Sequence, residues 1–162
     1  LQSFILTKDL GEIVSLEDLC AAWTTNPPEN RFKRQLIIAV AKLAKTLHEN
    51  GVNHRDFYLC HLCLDKAAIG QDAINLYVID LHRTQTHHKT NQRGNMKDIA
   101  ALYFSAMDVG LTHKDFVCFK RYYANPDNIF WQQVAQRAEK LYRKFNTDKF
   151  QQKLKAERNR LD

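Results

Sequence analysis

The sequence predicts an α+β domain that is mainly helical, with a few short strands gathered in its middle. Three observations carry that prediction. Apolar residues recur at helical spacing over residues 31–50, 97–109 and 125–145. Two Ser/Thr-x-x-Asp strings, at Ser15 and Thr112, have the form of helix-opening capping boxes. Between the helices, residues 52–64 are apolar residues interrupted by charged ones, and 76–80 is a short buried-strand pattern.

Taken in order, residues 1–7 read as a strand that lacks the basic n-region and length of a signal peptide, so the chain reads as one entered partway into a fold. Ser15-Leu16-Glu17-Asp18 opens a helix to about Trp23, and Pro27 and Pro28 punctuate the loop after it. Leu36, Val40, Leu43, Ala44 and Leu47 form the apolar stripe of the long helix over 31–50, and Gly51 suits the left-handed position that ends it. A turn-prone stretch around Gly70-Gln71-Asp72 leads to Leu76-Tyr77-Val78-Ile79-Asp80, a buried-strand pattern ending on a carboxylate. Residues 82–96, polar and with three His, read as a loop. Ile99, Leu102, Tyr103 and Ala106 share one face of a helix over 97–109, ended by Gly110. Thr112-His113-Lys114-Asp115 opens the next, to about Tyr123. Asn125-Pro126 then supplies an N-cap and first position for a long amphipathic helix through Phe145. The division is a domain over 1–146 and a basic, linker-like tail over 147–162.

Composition narrows the function classes. At 162 residues and 44% hydrophobic the chain can bury one core, and no apolar run approaches the ~20 residues that span a bilayer. Cys20, Cys60, Cys63 and Cys118 read as reduced thiols in a cytoplasmic protein. Cys60 and Cys63 form a C-x-x-C pair, but no second pair stands at zinc-finger spacing, so they read as small buried residues of a strand. Residues 137–162 hold nine Lys or Arg against four Asp or Glu, most of the net charge of +6. This is either a solvated helix face or an attraction to a polyanion. Without a nucleic-acid motif, a phosphorylated lipid surface is the stronger candidate for that polyanion and no nucleic acid is expected.

The chemistry concentrates in His54-Arg55-Asp56, with His61 five residues on and Asp80 ending the next strand. Phosphoryl transfer needs a hydroxyl held in line, a carboxylate to take its proton and cations to neutralise phosphate charge. Kinase folds supply these from a His-Arg-Asp loop, a metal-binding residue five positions later and a second Asp after a short hairpin. The same elements stand here in that order, between two long helices. A zinc- or manganese-dependent hydrolase using His54, Asp56, His61, Asp80 and His82 is a weaker alternative.

The strings His54-Arg-Asp-Phe-Tyr-Leu-Cys-His61, Val78-Ile-Asp-Leu-His-Arg83 and Lys97-Asp-Ile-Ala-Ala-Leu-Tyr-Phe-Ser105 closely resemble the lipopolysaccharide core heptose(I) kinases of Gram-negative bacteria, within the Kdo/heptose kinase group. The resemblance runs from Leu1 to about Tyr142. It implies a protein-kinase-like C-terminal lobe with a hinge strand at 1–7, a catalytic loop at 53–64 and a metal-binding strand end at 76–83. It implies ATP and Mg²⁺ as cofactors, with Asp56 as catalytic base, Asp80 as main Mg²⁺ ligand and His61 as a contact to metal or phosphate. Asp98 would support the loop backbone, and Arg55 and Arg83 would lie near an anionic substrate or form salt bridges inside the loop. The implied acceptor is the heptose of a lipid A–core oligosaccharide, met at the cytoplasmic face of the inner membrane, with Kdo as the neighbouring alternative. Two departures stand out. Gly94-Asn95 occupies the place where the resemblance leads one to expect a Trp. No glycine-rich loop, strand Lys or partner Glu precedes the catalytic loop, so the resemblance implies a lobe without its N-terminal companion, or a non-catalytic binding module.

Overall fold

Local sequence sets most element boundaries. The computed structural model describes residues 9–71 and 74–158; the strand expected over 1–7 lies outside them. Strand β1 (Ile13–Ser15) runs directly into helix α1 (Leu16–Cys20), because the Ser15 hydroxyl accepts the Asp18 N–H and so caps the first turn. The helix is shorter than expected, and turns rather than helix continue past Trp23. Helix α2 (Asn30–Glu49) buries Leu36, Val40 and Ala44 on the expected stripe, and Gly51 ends it at φ 71°. Gly51 is required there twice over, since a Cβ would also stand 2.2 Å from the His87 carbonyl oxygen.

Two small antiparallel sheets follow. Strand β3 (Leu62–Asp65) is the centre of one, flanked by β1 and by β4 (Leu76–Val78), with Val14 opposite Leu64 and Cys63 opposite Tyr77. The other joins β2 (Val52–Asn53) to β5 (Gln85–Thr86). That pairing was hidden in the polar stretch expected to be loop, and it brings residues 54–56 alongside 81–83. The β4 residues are only half-buried, less than the apolar run suggested.

Helix α3 (Gln92–Ser105) begins five residues before its expected start, because the Asn91 side chain caps it by accepting the Gly94 N–H. Its buried face carries Ile99 and Leu102 as expected. Helix α4 (His113–Tyr123) has a full capping box between Thr112 and Asp115. Helix α5 (Asn128–Phe145) is capped by Asp127, not by Asn125-Pro126, since the Asp127 carboxylate reaches the Ile129 N–H. Part of the expected linker is ordered as α6 (Asp148–Arg158).

Helix α2 packs on α4 and α3 on α5, and the core between them joins Leu36, Val40, Ile99, Trp131 and Val134 to Phe57 and Leu62. An apolar cavity of about 540 Å³ lies where α1, α2, α3 and α4 meet, lined by Leu36, Val40, Ile99, Leu102 and Phe116 among others.

Candidate functional site

The site is built on a buried carboxylate. Asp98 projects from α3 and accepts the backbone N–H of His54 at 2.8 Å with Oδ2 and that of Arg55 at 2.9 Å with Oδ1. Two consecutive N–H groups can converge on one carboxylate because Arg55 takes a left-handed conformation, φ 73°. A non-glycine residue pays about 1–3 kcal/mol for such a backbone, and the two charge-assisted bonds offset that strain. Behind Asp98, His48 of α2 bonds Oδ2 at 3.3 Å through Nε2 and the Tyr123 hydroxyl at 2.8 Å through Nδ1. The Asn53 amide donates to Asn95 Oδ1 at 2.8 Å. All five side chains of this network are buried. Gly94 makes room for it: a Cβ there would stand 2.1 Å from Asn53 Oδ1.

Asp56 follows Arg55 and emerges at the surface of the loop, its side chain 13% exposed. Its Oδ1 accepts from Arg83 Nη1 at 2.8 Å, the in-loop salt bridge that was one reading of Arg83. Arg55 itself is exposed and contributes its backbone to the Asp98 bond. His61 folds back so that Nδ1 lies 2.7 Å from the Asp56 carbonyl oxygen. A carbonyl only accepts, so Nδ1 donates and the Nε2 of a neutral ring is left as an acceptor. That Nε2 faces Asp80 Oδ2 at 3.4 Å. Two acceptors facing each other suit a shared cation.

Asp80 is the second left-handed non-glycine residue of the site, φ 61°, and its carboxylate is 40% exposed. A hydrogen bond from His82 Nδ1 holds that carboxyl below the usual range against some desolvation. His54 turns inward, with Nε2 on the Ile79 carbonyl at 2.9 Å, so it clamps the two loops together and takes no part in the open site. Among the described residues no three His, Cys, Asp or Glu side chains gather as a metal-holding group. Cys63 is buried in β3, whereas Cys60 sits half-buried in the turn before it; both thiols are free and pushed up, chiefly by burial.

Sequence reasoning missed His48, Tyr123 and Tyr58. The signal for His48 was present: it lies four residues after Ala44, on the buried face of α2. Tyr58 stands beside Asp56, its phenol raised by burial and then by the Asp56 charge. Nothing in local sequence pointed to it.

The sequence profile of the lipopolysaccharide kinase (Kdo/WaaP) family matches residues 1–123, a stretch that contains the Asp56 loop, Asp80 and the buried Asp98. The chain belongs to that family. It is 47% identical over 122 residues to the lipopolysaccharide core heptose(I) kinase WaaP of Escherichia coli strain K12, covering 75% of this chain and 46% of that protein. It is 49% identical over 123 residues to the heptose(I) kinase WaaP of Pseudomonas aeruginosa, covering 75% and 46%. The chain therefore spans about half the length of the curated relatives it matches. A solved structure of WaaP in complex with acyl carrier protein superposes with a TM-score of 0.75 at 42% identity, over 83% of this chain and 59% of that one.

Proposed function

We propose that this chain is the protein-kinase-like C-terminal lobe of an enzyme that transfers the γ-phosphate of ATP to a hydroxyl of an inner-core heptose of lipopolysaccharide. The observation that carries the reading is the placement of Asp56 on a backbone pinned through His54 and Arg55 to Asp98. General-base catalysis needs a carboxylate within hydrogen-bond reach of the attacking hydroxyl, and a fixed backbone keeps it there without reorganisation. The 47–49% identity to proteins named heptose(I) kinases supports heptose over Kdo as the acceptor sugar.

The donor set on the Asp80 side fits Mg²⁺. One open carboxylate with one imidazole nitrogen is fewer protein ligands than a structural metal cage has. Mg²⁺ is commonly held by one or two carboxylates, with waters and substrate phosphates completing the shell. Asp80 would hold the ion and His61 would contact it or a phosphate. Bound there, Mg²⁺ would neutralise phosphate charge. The protein's own part is to hold Asp80 ionised through His82 and to orient His61 through the Asp56 carbonyl.

Three partners fit an enzyme of this kind. The basic stretch that includes α6 supports peripheral, cytoplasmic-face attachment to anionic lipid, and no helix of the described residues is long and apolar enough to cross a membrane. Deleting residues 149–162 should weaken binding to anionic vesicles; unchanged binding would remove that role. The lipid A–core oligosaccharide is the acceptor partner. Because the solved relative is in complex with acyl carrier protein, the same partner is proposed for this chain, with the apolar cavity available to an acyl group. Tighter binding of acyl-loaded than of unloaded carrier would support that use of the cavity, and equal binding would refute it.

The test of function is phosphate transfer to heptose-terminated and Kdo-terminated acceptors by the full-length protein and its Asp56→Ala and Asp80→Ala variants. Transfer to the heptose acceptor, lost in both variants, is the expected result. Near-normal turnover in either variant would refute Asp56 as the base or Asp80 as the metal ligand.

A further inference from the structure

The loop from Asp56 to His61 carries no Lys or Arg after the proposed base, so the loop itself offers no fixed cation to the group being transferred. The structure brings one from the next strand end. Arg83 Nη1 lies 2.8 Å from Asp56 Oδ1 while 49% of the Arg83 side-chain surface stays exposed. A guanidinium has five N–H donors, and the bond to Asp56 uses one. We propose that Arg83 is a catalytic residue that stabilises the phosphoryl group as it passes from ATP to the acceptor. This rests on Asp56 being the base of a phosphotransferase.

Distance and charge both place Arg83 at the reacting atoms. A hydroxyl that gives its proton to Asp56 has its oxygen within about 3 Å of that carboxylate. In the transfer a bond forms between this oxygen and the γ-phosphorus, and the bond to the β,γ-bridging oxygen breaks. The acceptor proton goes to the Asp56 carboxylate, and ADP leaves with the electron pair. The moving phosphorus is thus bonded to an atom that touches Asp56, and Arg83 touches the same carboxylate. Charge moves the same way: protonation of Asp56 weakens its hold on Arg83 as negative charge spreads over the equatorial phosphoryl oxygens. A guanidinium fork matches those oxygens, and an arginine supplied within the same chain is an established device for this step.

The experiment uses the full-length protein. Arg83→Gln is expected to lower kcat by roughly a thousandfold, with KM for ATP and acceptor within about threefold of the parent. Its affinity for ADP with Mg²⁺ should be unchanged. Its affinity for ADP, Mg²⁺ and aluminium fluoride, which mimics the phosphoryl group in flight, should fall about a hundredfold. Added guanidinium ion should restore part of kcat in Arg83→Ala, and Arg83→Lys should retain more activity than Arg83→Gln. An equal unfolding midpoint for Arg83→Lys and the parent keeps the comparison free of folding effects. If Arg83→Gln keeps kcat while Asp56→Asn is inactive, Arg83 is not catalytic and the kinase reading stands. If KM for the acceptor rises with kcat intact, Arg83 is a ground-state contact and the proposal is overturned. If Asp56→Asn and Arg83→Gln are both active, the kinase reading itself has failed.

Discussion

The two halves of the site are held in opposite ways. The loop at 53–56 hangs from buried Asp98, with His48, Tyr123, Asn53 and Asn95 completing the network. The turn at 80–83 carries Asp80, His82 and Arg83 in the open, tied to each other and to the loop by side chains. Both halves contain a left-handed non-glycine residue, and the Arg55 N–H is held by Asp98 Oδ1. The loop that carries the proposed base is anchored in the core, whereas the turn proposed to handle phosphate stands open at the surface. Strain at such a turn persists where function uses it.

That contrast is broken most severely at Asp98. Asp98→Ala would leave two buried N–H groups and His48 without their acceptor, each a loss of about 1–3 kcal/mol. The expected total is roughly 3 kcal/mol or more, read from urea unfolding of the full-length protein. Loss of activity with unchanged stability would mean the network positions the loop without stabilising it. Gly94→Ala comes next, because its Cβ would meet Asn53 Oδ1 at 2.1 Å. It should cost about 1–3 kcal/mol by overpacking and lower kcat through the displaced loop.

Smaller effects sharpen the comparison. Tyr123→Phe removes the hydroxyl partner of His48 and should cost about 1 kcal/mol, with KM for ATP unchanged. The pH dependence at Cys20 reports the same core, since burial pushes that thiol up to about 12, with Lys33 opposing slightly. An unfolded thiol ionises near 9.0, and between these values the unfolded chain has lost a proton that the folded one keeps. Stability contributed by the neutral thiol is therefore full below the unfolded value and is lost as pH rises towards about 12. Iodoacetamide labelling should show it directly: at pH 8 the Cys20 thiolate fraction is roughly one in ten thousand, so Cys118 should label first. Rapid labelling of Cys20 in the folded protein would contradict its burial.

Much of the scaffold was legible because its signals are local. The caps at Ser15 and Thr112, the stripe of α2 and Gly51 each depend on residues within one or two turns. The side chains that the structure gathers at the candidate site, Asp56, His61 and Asp80, also stood out in the sequence by their spacing. What escaped depends on contacts through space. The β2–β5 pairing joins two dipeptides 32 residues apart, Asn53 with Gln85. The Asn91 cap was concealed by a polar, His-rich stretch that has no helical period. At Asn125-Pro126 the composition of a cap was right, but the carboxylate two residues later has the geometry. His48 looked like an ordinary polar residue at a helix end until Asp98 and Tyr123 were found on either side of it.

The central claim is that Asp56 takes the acceptor proton. Its most direct test is the single-turnover rate of Asp56→Asn in the full-length protein, with Mg-ATP and heptose-terminated acceptor saturating and the unfolding midpoint matched to the parent. Asn keeps the size of the side chain and can still meet Arg83 through its carbonyl, but it cannot take a proton. The predicted result is a fall of about 10²–10⁴ in the phosphoryl-transfer step with binding of both substrates intact. A rate within a few-fold of the parent would contradict it.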